Sequence, residues 1–325
     1  MTVAVLIVNW NSRHLLRECL KSLTAQTRPP DRVIIVDNNS TDDSLQLTGD
    51  LLKGVEVIQL AENAGFARAN NIAAKAAGAV DALALLNPDA FPSPGWLAAL
   101  VKAAESQPDV GSFASRMLLD GQPDFLDGAG DSYHSSGRAW RNGHRTRARE
   151  WPAGDREVFA PCAAAALYRR DAFEAAGGFD DQYFCYFEDV DLGFRLRLRG
   201  FRCICVHDAV VRHVSSGTTG YRSDFAVYHG ERNAVWTFFK DMPGLLLWLY
   251  LPQHVALNVA ALIYYPLRGQ GRVAWRAKFD AMKGLPSVLR RRGRVQTMRV
   301  VSPLALRQSL TRGVAAAVRR YSGVS

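Results

Sequence analysis

Four short apolar runs, each closed by a polar cluster, constrain the fold of this chain more than any other feature. Residues 3 to 8 read VAVLIV and end in Asn9, Trp10 and Asn11. Val33 to Val36 ends in Asp37-Asn38-Asn39-Ser40, and Val55 to Leu60 leads into Asn63-Ala64-Gly65-Phe66. Ala82 to Leu86 ends in Asn87-Pro88-Asp89. Unbroken apolar runs without alternation suit strands covered on both faces of a parallel sheet. Between the first two runs lies a helical pattern. It starts at Ser12, a candidate cap, and runs to about Gln26, with Leu15, Leu16, Cys19, Leu20 and Leu23 on one face. Pro29 and Pro30 break it, and a second helix is predicted from Asn63 through Ala77. Strands and helices alternating at this spacing predict a doubly wound α/β sheet, whose ligands sit at the carboxyl ends of the strands. All four polar clusters lie at such ends. Each alone is also ordinary turn chemistry; four at equivalent ends point to a ligand site.

A second stretch, residues 177 to 200, concentrates acids among aromatics. Phe179, Tyr183, Phe184, Tyr186 and Phe187 precede Glu188, Asp189 and Asp191, and a helical pattern then runs to Gly200. One acid is enough to cap a helix. Three in an environment that strips away water predict a carboxylate of raised pKa, suited to base work.

Other ligand devices are missing. No Gly-x-Gly-x-x-Gly follows the first run and no Gly-x-x-x-x-Gly-Lys-Ser/Thr exists. A diphosphate would therefore need a cation or a metal, and Asp89 is a candidate ligand. The five cysteines lie in apolar stretches without paired CxxC spacing, so reduced, buried thiols are expected. The start, MTVAVLIVNWN, reads as a strand and not as a signal peptide, which predicts a cytoplasmic protein.

The ordered motifs across about residues 1 to 240 resemble family 2 glycosyltransferases of the GT-A fold, and most closely the bacterial rhamnosyltransferase-like branch. They run from Val8-Asn9-Trp10-Asn11, Val36 to Ser40, Asn63 to Phe66 and Leu86 to Ala90 to Leu167-Tyr168-Arg169-Arg170, Gly177 to Asp180, Glu188 to Leu192 and His213. The resemblance implies roles. Asp37 would contact the nucleotide base, with Asn9, Asn63 and Asn87 also on the donor. Asn87-Pro88-Asp89 stands where the family has Asp-x-Asp, leaving Asp89 as its single carboxylate and metal ligand. His213 matches a histidine that completes the Mg²⁺ or Mn²⁺ site in related transferases; alone it also reads as a loop histidine. Asp189 matches the catalytic base. Glu188 or Asp191 would orient that base or bind sugar hydroxyls, and Tyr186 would face the sugar or acceptor. His229-x-x-Arg232-Asn233 is similar to the Gln-x-x-Arg-Trp of processive relatives, although two of three positions differ. That similarity implies a diphosphate role for Arg232, and a surface arginine is the alternative.

Residues 115 to 160 carry the poorest pattern and are expected as a long loop or irregular strands lining the acceptor side, with Arg138, Arg141, Arg145, Arg147 and Arg149 among them. A helix is predicted over 225 to 241. Leu245 to Tyr265 is uncharged and long enough to span a bilayer, but Pro252, Gln253, His254 and Asn258 interrupt it. A shallow apolar hairpin on the inner face of the membrane is the expectation, and a pair of core helices is the alternative. From Pro266 onward there are fourteen Lys and Arg against one acid, Asp280. The cluster Arg290, Arg291, Arg292 and Arg294 is expected on anionic lipid. Nucleic acid is not expected, because few aromatics interleave these arginines.

The resemblance thus implies a GT-A transferase domain over 1 to 240, followed by a helical, membrane-associating extension expected over 241 to 325. The resemblance implies an inverting glycosyltransferase. It would carry a sugar, rhamnose from dTDP-rhamnose or a galactosyl, galactofuranosyl or other hexosyl unit, to a hydroxyl of a lipid-linked or cell-surface glycan. Two other classes stand beside it. A sugar-1-phosphate nucleotidyltransferase would need a glycine-rich basic loop where Asn9-Trp10-Asn11-Ser12 stands. A non-catalytic scaffold is opposed by Asp89, Asp189 and His213 occurring together.

Overall fold

The computed structural model describes residues 1–215 and 223–313 of the 325-residue chain. Its strands are β1 (Val3–Asn9), β2 (Arg32–Asp37), β3 (Glu56–Gln59), β4 (Ala82–Leu86), β5 (Ala90–Pro92), β6 (Val110–Leu119), β7 (Gln122–Ala129), β8 (Asp131–Tyr133), β9 (Ala139–Arg141), β10 (Arg156–Val158), β11 (Ala165–Arg169) and β12 (Arg202–His213). Its helices are α1 (His14–Thr24), α2 (Ser44–Thr48), α3 (Gly65–Ala76), α4 (Trp96–Ser106), α5 (Arg170–Ala175), α6 (Glu188–Leu198), α7 (Asp224–Asp241), α8 (Gly244–Tyr264), α9 (Gly271–Thr297) and α10 (Pro303–Ser309).

The four apolar runs are the parallel strands β3, β2, β1 and β4, side by side. β1 is buried along its whole length. Alternate residues feed two cores: Val3, Val5 and Ile7 pack with α1 and α4, while Ala4, Leu6 and Val8 pack with α3, α5 and α6. Past β4 the sheet turns mixed, with β11 antiparallel to both β4 and β6, and β12 parallel to β6. α1 begins one residue after Arg13, and Ser12 does not cap it; the Ser12 hydroxyl donates to Asn9 Oδ1 instead. The poorly patterned stretch 115 to 160 forms the end of β6 and the short strands β7 to β10.

The C-terminal helices share a core with the rest. Leu246, Tyr250, Val295 and Leu306 pack with Tyr133, Phe159 and Phe194. α8 is one continuous helix, which corrects the expected hairpin. The polar residues that interrupt its apolar run are satisfied by the protein: Gln253 accepts from Ser135 Oγ at 3.0 Å, and His254 Nδ1 bonds Ser136 O at 2.8 Å while its ring stacks on Phe238. By length and composition Gly244–Arg268 is the one helical stretch among the described residues able to cross a bilayer. Its inner face, Leu246, Leu247, Tyr250, His254 and Ala261, is already committed to protein. The arginine cluster also divides. Arg291 bonds Asp180 at 2.7 Å and Arg292 bonds the carbonyls of Phe239 and Met242 at 2.8 and 2.6 Å, so only Arg290 and Arg294 face solvent. The tail beyond Gly313 lies outside the described residues.

Candidate active site

Strand pairing brings together side chains far apart in sequence. β5 pairs antiparallel with the end of β12, placing Ala90 opposite His213 and so His213 beside Asp89. β12 also pairs with β6, and β6 with β7, which brings Asp127 to the other side of the same imidazole. His213 Nδ1 donates to Asp127 Oδ2 at 2.7 Å, and Nε2 lies 3.3 Å from Asp89 Oδ1. Burial pulls the His213 pKa down, but the Asp89 charge and the bonds to Asp127 and Asp89 outweigh it and lift the pKa to about 9. Burial also works against the Asp127 charge. Arg141, with bonds from His144 and His213, more than offsets this and holds that carboxyl well below the usual range.

This set suits a divalent cation. The Asp127 carboxylate on Nδ1 orients the ring, and a cation between Nε2 and Asp89 would displace the proton that the raised pKa keeps there. His213 Nε2 is buried without a well-formed hydrogen bond, and it faces Asp89. Among the described residues no cluster of three His, Cys, Asp or Glu forms a closed metal cage. Two protein donors with open positions match how Mg²⁺-type ions are held beside substrate phosphates.

The N-terminus of α6 forms the facing wall. Phe184, Tyr186 and Phe187, just before it, have φ of 65°, 67° and 68°, the left-handed region that side chains rarely adopt. α7 holds this loop in place. Asn233 Nδ2 donates to the carbonyls of Tyr183, Cys185 and Tyr186 at 3.0, 3.0 and 2.7 Å. Arg232 Nη2 donates to the Tyr183 carbonyl at 2.9 Å. Gly65 backs the loop so closely that a Cβ there would lie 2.6 Å from the Phe184 ring, and its φ is +80°. Glu188 is buried with Oε2 unpartnered, and burial together with the Asp189 charge raises its pKa well above the usual value. Burial raises the Asp189 pKa too, against N–H bonds from Ala163 at 3.1 Å and Val190 at 2.8 Å. Asp131, buried with Oδ1 unpartnered, is likewise raised by burial and by Asp189.

A cleft of about 360 Å³ joins the two walls. Of the residues singled out from sequence, Asn63, Asn87, Asp89, Tyr186, Glu188, Asp189 and His213 line it. Four stand elsewhere. Asn9 is fully buried behind the cleft, its amide bonded to Asp37 at 2.7 Å and Ser44 at 2.9 Å. Asp37 takes that bond and does not line the cavity, whereas Asn38 beside it does, bonding Asn63 at 2.8 Å. Arg232 is committed to the loop carbonyls and to Trp236, 4.3 Å below its guanidinium, and not to the cleft. Asp191 faces the core, held by Arg195 at 2.6 Å, by Lys240 and by Tyr183 OH at 3.0 Å. Sequence reasoning missed Asp127 and Asp131, and placed Arg141, which lines the cleft, only among the arginines of an acceptor-side stretch. All three sit on β7 to β9, whose short strands carry no periodic signal.

Comparison with known proteins identifies the family. The description Glycosyl transferase family 2 matches residues 4–177. The chain is 30% identical over 248 residues to the N-acetylglucosaminyl-diphospho-decaprenol L-rhamnosyltransferase of Mycobacterium tuberculosis, spanning 69% of this chain and 80% of that protein. The O-antigen chain rhamnosyltransferase of Salmonella typhimurium is 24% identical over 70% of each chain. The mannosyltransferase of Pyrobaculum calidifontis, solved with GDP-Man and Mn²⁺, superposes with a TM-score of 0.55 at 19% identity, over 99% of this chain and 88% of that one. The last likeness concerns the fold, which is GT-A; the family match and the first relative carry the assignment. This chain belongs to glycosyl transferase family 2, in its rhamnosyltransferase-like branch.

Proposed function

We propose that this chain is an inverting, metal-dependent transferase that moves a sugar, rhamnose from dTDP-rhamnose first among candidates, onto a hydroxyl of a lipid-linked glycan at the cytoplasmic face of the membrane. The observation that carries the reading is one cleft lined by Asp89 and His213 on one wall and by Asp189 on the other. Asp89 and His213 would hold a Mg²⁺ or Mn²⁺ ion, which offsets charge on the leaving diphosphate when bound. Asn38, Asn63 and Asn87 present amide groups to the donor from the strand ends. Asp189 accepts the proton of the acceptor hydroxyl as that oxygen attacks the anomeric carbon from the opposite face. Its raised pKa brings a carboxylate closer to the working pH of a general base. Burial and the Asp189 charge favour the protonated form of Glu188, which leaves Asp189 as the base on the cleft side of that turn and suits one displacement without a covalent intermediate. Arg232 and Asn233 position this base by holding the strained loop before it.

A second cavity, of about 390 Å³, runs between α7, α8 and the turn around Gly137, and Phe187 lines both it and the catalytic cleft. Arg138, Arg268 and Lys278 line it with Tyr264 and Tyr265. This is where the acceptor would approach, and the lipid-linked substrate named for the mycobacterial relative supports that class. The test is hydrolysis and transfer with a panel of nucleotide sugars, with and without Mn²⁺. Metal-dependent release of dTDP from dTDP-rhamnose is expected. A folded protein that turns over no nucleotide sugar would belong among non-catalytic scaffolds, and turnover of another sugar alone would replace rhamnose.

A further inference from the structure

α9 divides its surface into three sectors, and only one is used inside the protein. Ala274, Ala277, Ala281, Val288 and Val295 are buried, mostly against α7. That contact is close: a Cβ at Gly284 would lie 2.6 Å from the Trp236 ring, and Trp236 Nε1 donates to the Ala281 carbonyl at 3.0 Å. A second sector is apolar and bare, with Trp275, Phe279 and Met282 exposed by 60%, 70% and 60%, and Leu289 beside them. At about 100° per residue these four fall within roughly 80° of arc. The next roughly 40° of arc holds Arg272, Arg276, Lys283, Arg290 and Arg294, all exposed, in a row about 33 Å long. Asp280 is the only acid in the sequence after Asp241, and it is engaged by Tyr228 OH at 2.8 Å.

We infer that this solvent face of α9 is an interfacial anchor for an anionic lipid bilayer, with the apolar sector entering the acyl boundary and the basic row lying among the headgroups. A helix carrying an apolar stripe beside a cationic one matches the requirement for lying in the plane of a membrane interface. Nucleic acid would use the basic row and leave the apolar sector in water. A second copy of this chain would set two basic rows against each other with no acids to pair with them. The exposed face of α8, including Leu245, Trp248 and Ile263, is uncharged and adds apolar area, while the turn that joins the helices exposes Leu267 and Arg268. Because α7 packs on the inner face of α9 and also clamps the loop before Glu188, the anchor holds the catalytic cleft at a fixed height above the bilayer. The inference goes beyond the transferase reading and does not depend on it, since vesicle binding is measured without turnover.

The experiment is co-sedimentation of the full-length protein with phosphatidylglycerol-containing and pure phosphatidylcholine vesicles across a salt series. Two variant sets are compared: Arg272→Gln with Arg276→Gln, Lys283→Gln and Arg290→Gln, and Trp275→Ser with Phe279→Ser. All these side chains face solvent, so circular dichroism and donor hydrolysis should match the parent. The charge set is expected to lose about five-fold in binding per residue, on the order of 10³-fold together, at low salt, and to lose most of the salt dependence. The apolar set is expected to bind less at every salt concentration. No binding of the parent to anionic vesicles, or equal binding by all three proteins, would overturn the anchor. So would a fall in oligomer mass in the apolar set without vesicle binding, which would assign the face to a second copy. Binding to duplex DNA but not to vesicles, lost in the charge set, would assign it to nucleic acid.

Discussion

The first turn of α6 faces two ways, and its acids behave oppositely on the two sides. On the cleft side Glu188 and Asp189 receive little from the chain: Glu188 Oε2 has no partner, and Asp189 takes two backbone N–H bonds. Their pKa values rise, because burial outweighs what the protein offers. On the core side Asp191 is more deeply buried, yet Arg195 and Lys240 overcome the burial and hold its carboxyl well below the usual range. The same residue type, two positions apart, is therefore spent on structure in one case and left available in the other. An acid whose partners come from the chain positions something; an acid short of partners in a cleft is open to a substrate.

The largest expected effects come from breaking each side in turn. Asp189→Asn should cost about 10² to 10⁴ in transfer rate, as loss of a general base typically does, with donor binding and melting temperature nearly unchanged. Asp191→Asn should do the reverse. It takes from buried Arg195 its carboxylate partner and from buried Lys240 one of two, Asp180 remaining at 2.6 Å, a loss of about 3 kcal/mol in stability by chemical denaturation. If Asp191→Asn proves stable but inactive, or Asp189→Asn unstable but active, the division of labour in this turn is wrong.

Asp127 extends the comparison to the other wall. It is fully buried, its Oδ2 is shared by His213 and Arg141 while Oδ1 lacks a well-formed hydrogen bond, and it acts through His213. Asp127→Asn should weaken Mn²⁺ dependence of donor binding by about 10- to 100-fold, the usual cost of losing the group that orients a ligating histidine. Titration of Mn²⁺ in donor-binding measurements checks this; an unchanged midpoint would mean that Asp127 merely fills space.

How much of this was legible in the sequence depends on the range of the contacts. The strands β1, β2 and β4 are apolar runs that declare themselves locally, and so are the polar clusters at their ends. The Asp189–Asp191 distinction was also within reach. Two positions turn a helix by about 200°, so both side chains could not face one cleft. The pairing of His213 with Asp127 was not within reach, since it joins residues 86 apart through a sheet whose order no local pattern encodes. The place of Arg232 was hidden for a similar reason. Its partners are main-chain carbonyls of a left-handed loop, and nothing in the side-chain sequence announces a run of positive φ at Phe184, Tyr186 and Phe187. The sectors of α9, by contrast, follow from spacing alone once the helix is known to be continuous.

The smallest effect is the sharpest test of the comparison, because the two sides should have opposite pH slopes. Glu188 has a folded pKa above its unfolded value, so the folded state binds the extra proton. Its presence therefore lowers stability progressively as pH rises above about 4.3, the unfolded value of a glutamate. Asp191 has a depressed folded pKa. It contributes stability above about 3.9 and loses it as pH falls below that value. Glu188→Gln removes the first term and keeps the shape of the neutral acid, so it should match the parent near pH 4 and exceed it increasingly toward alkaline pH. Asp191→Asn should match the parent only at strongly acid pH and fall behind as pH rises. For a single group either difference grows by at most about 1.4 kcal/mol per pH unit. Urea denaturation midpoints of the three proteins across the pH range, with no metal or donor added, give both slopes. A Glu188→Gln curve that runs parallel to the parent would mean that Glu188 ionises normally, and that burial on the cleft side of α6 does not set its charge.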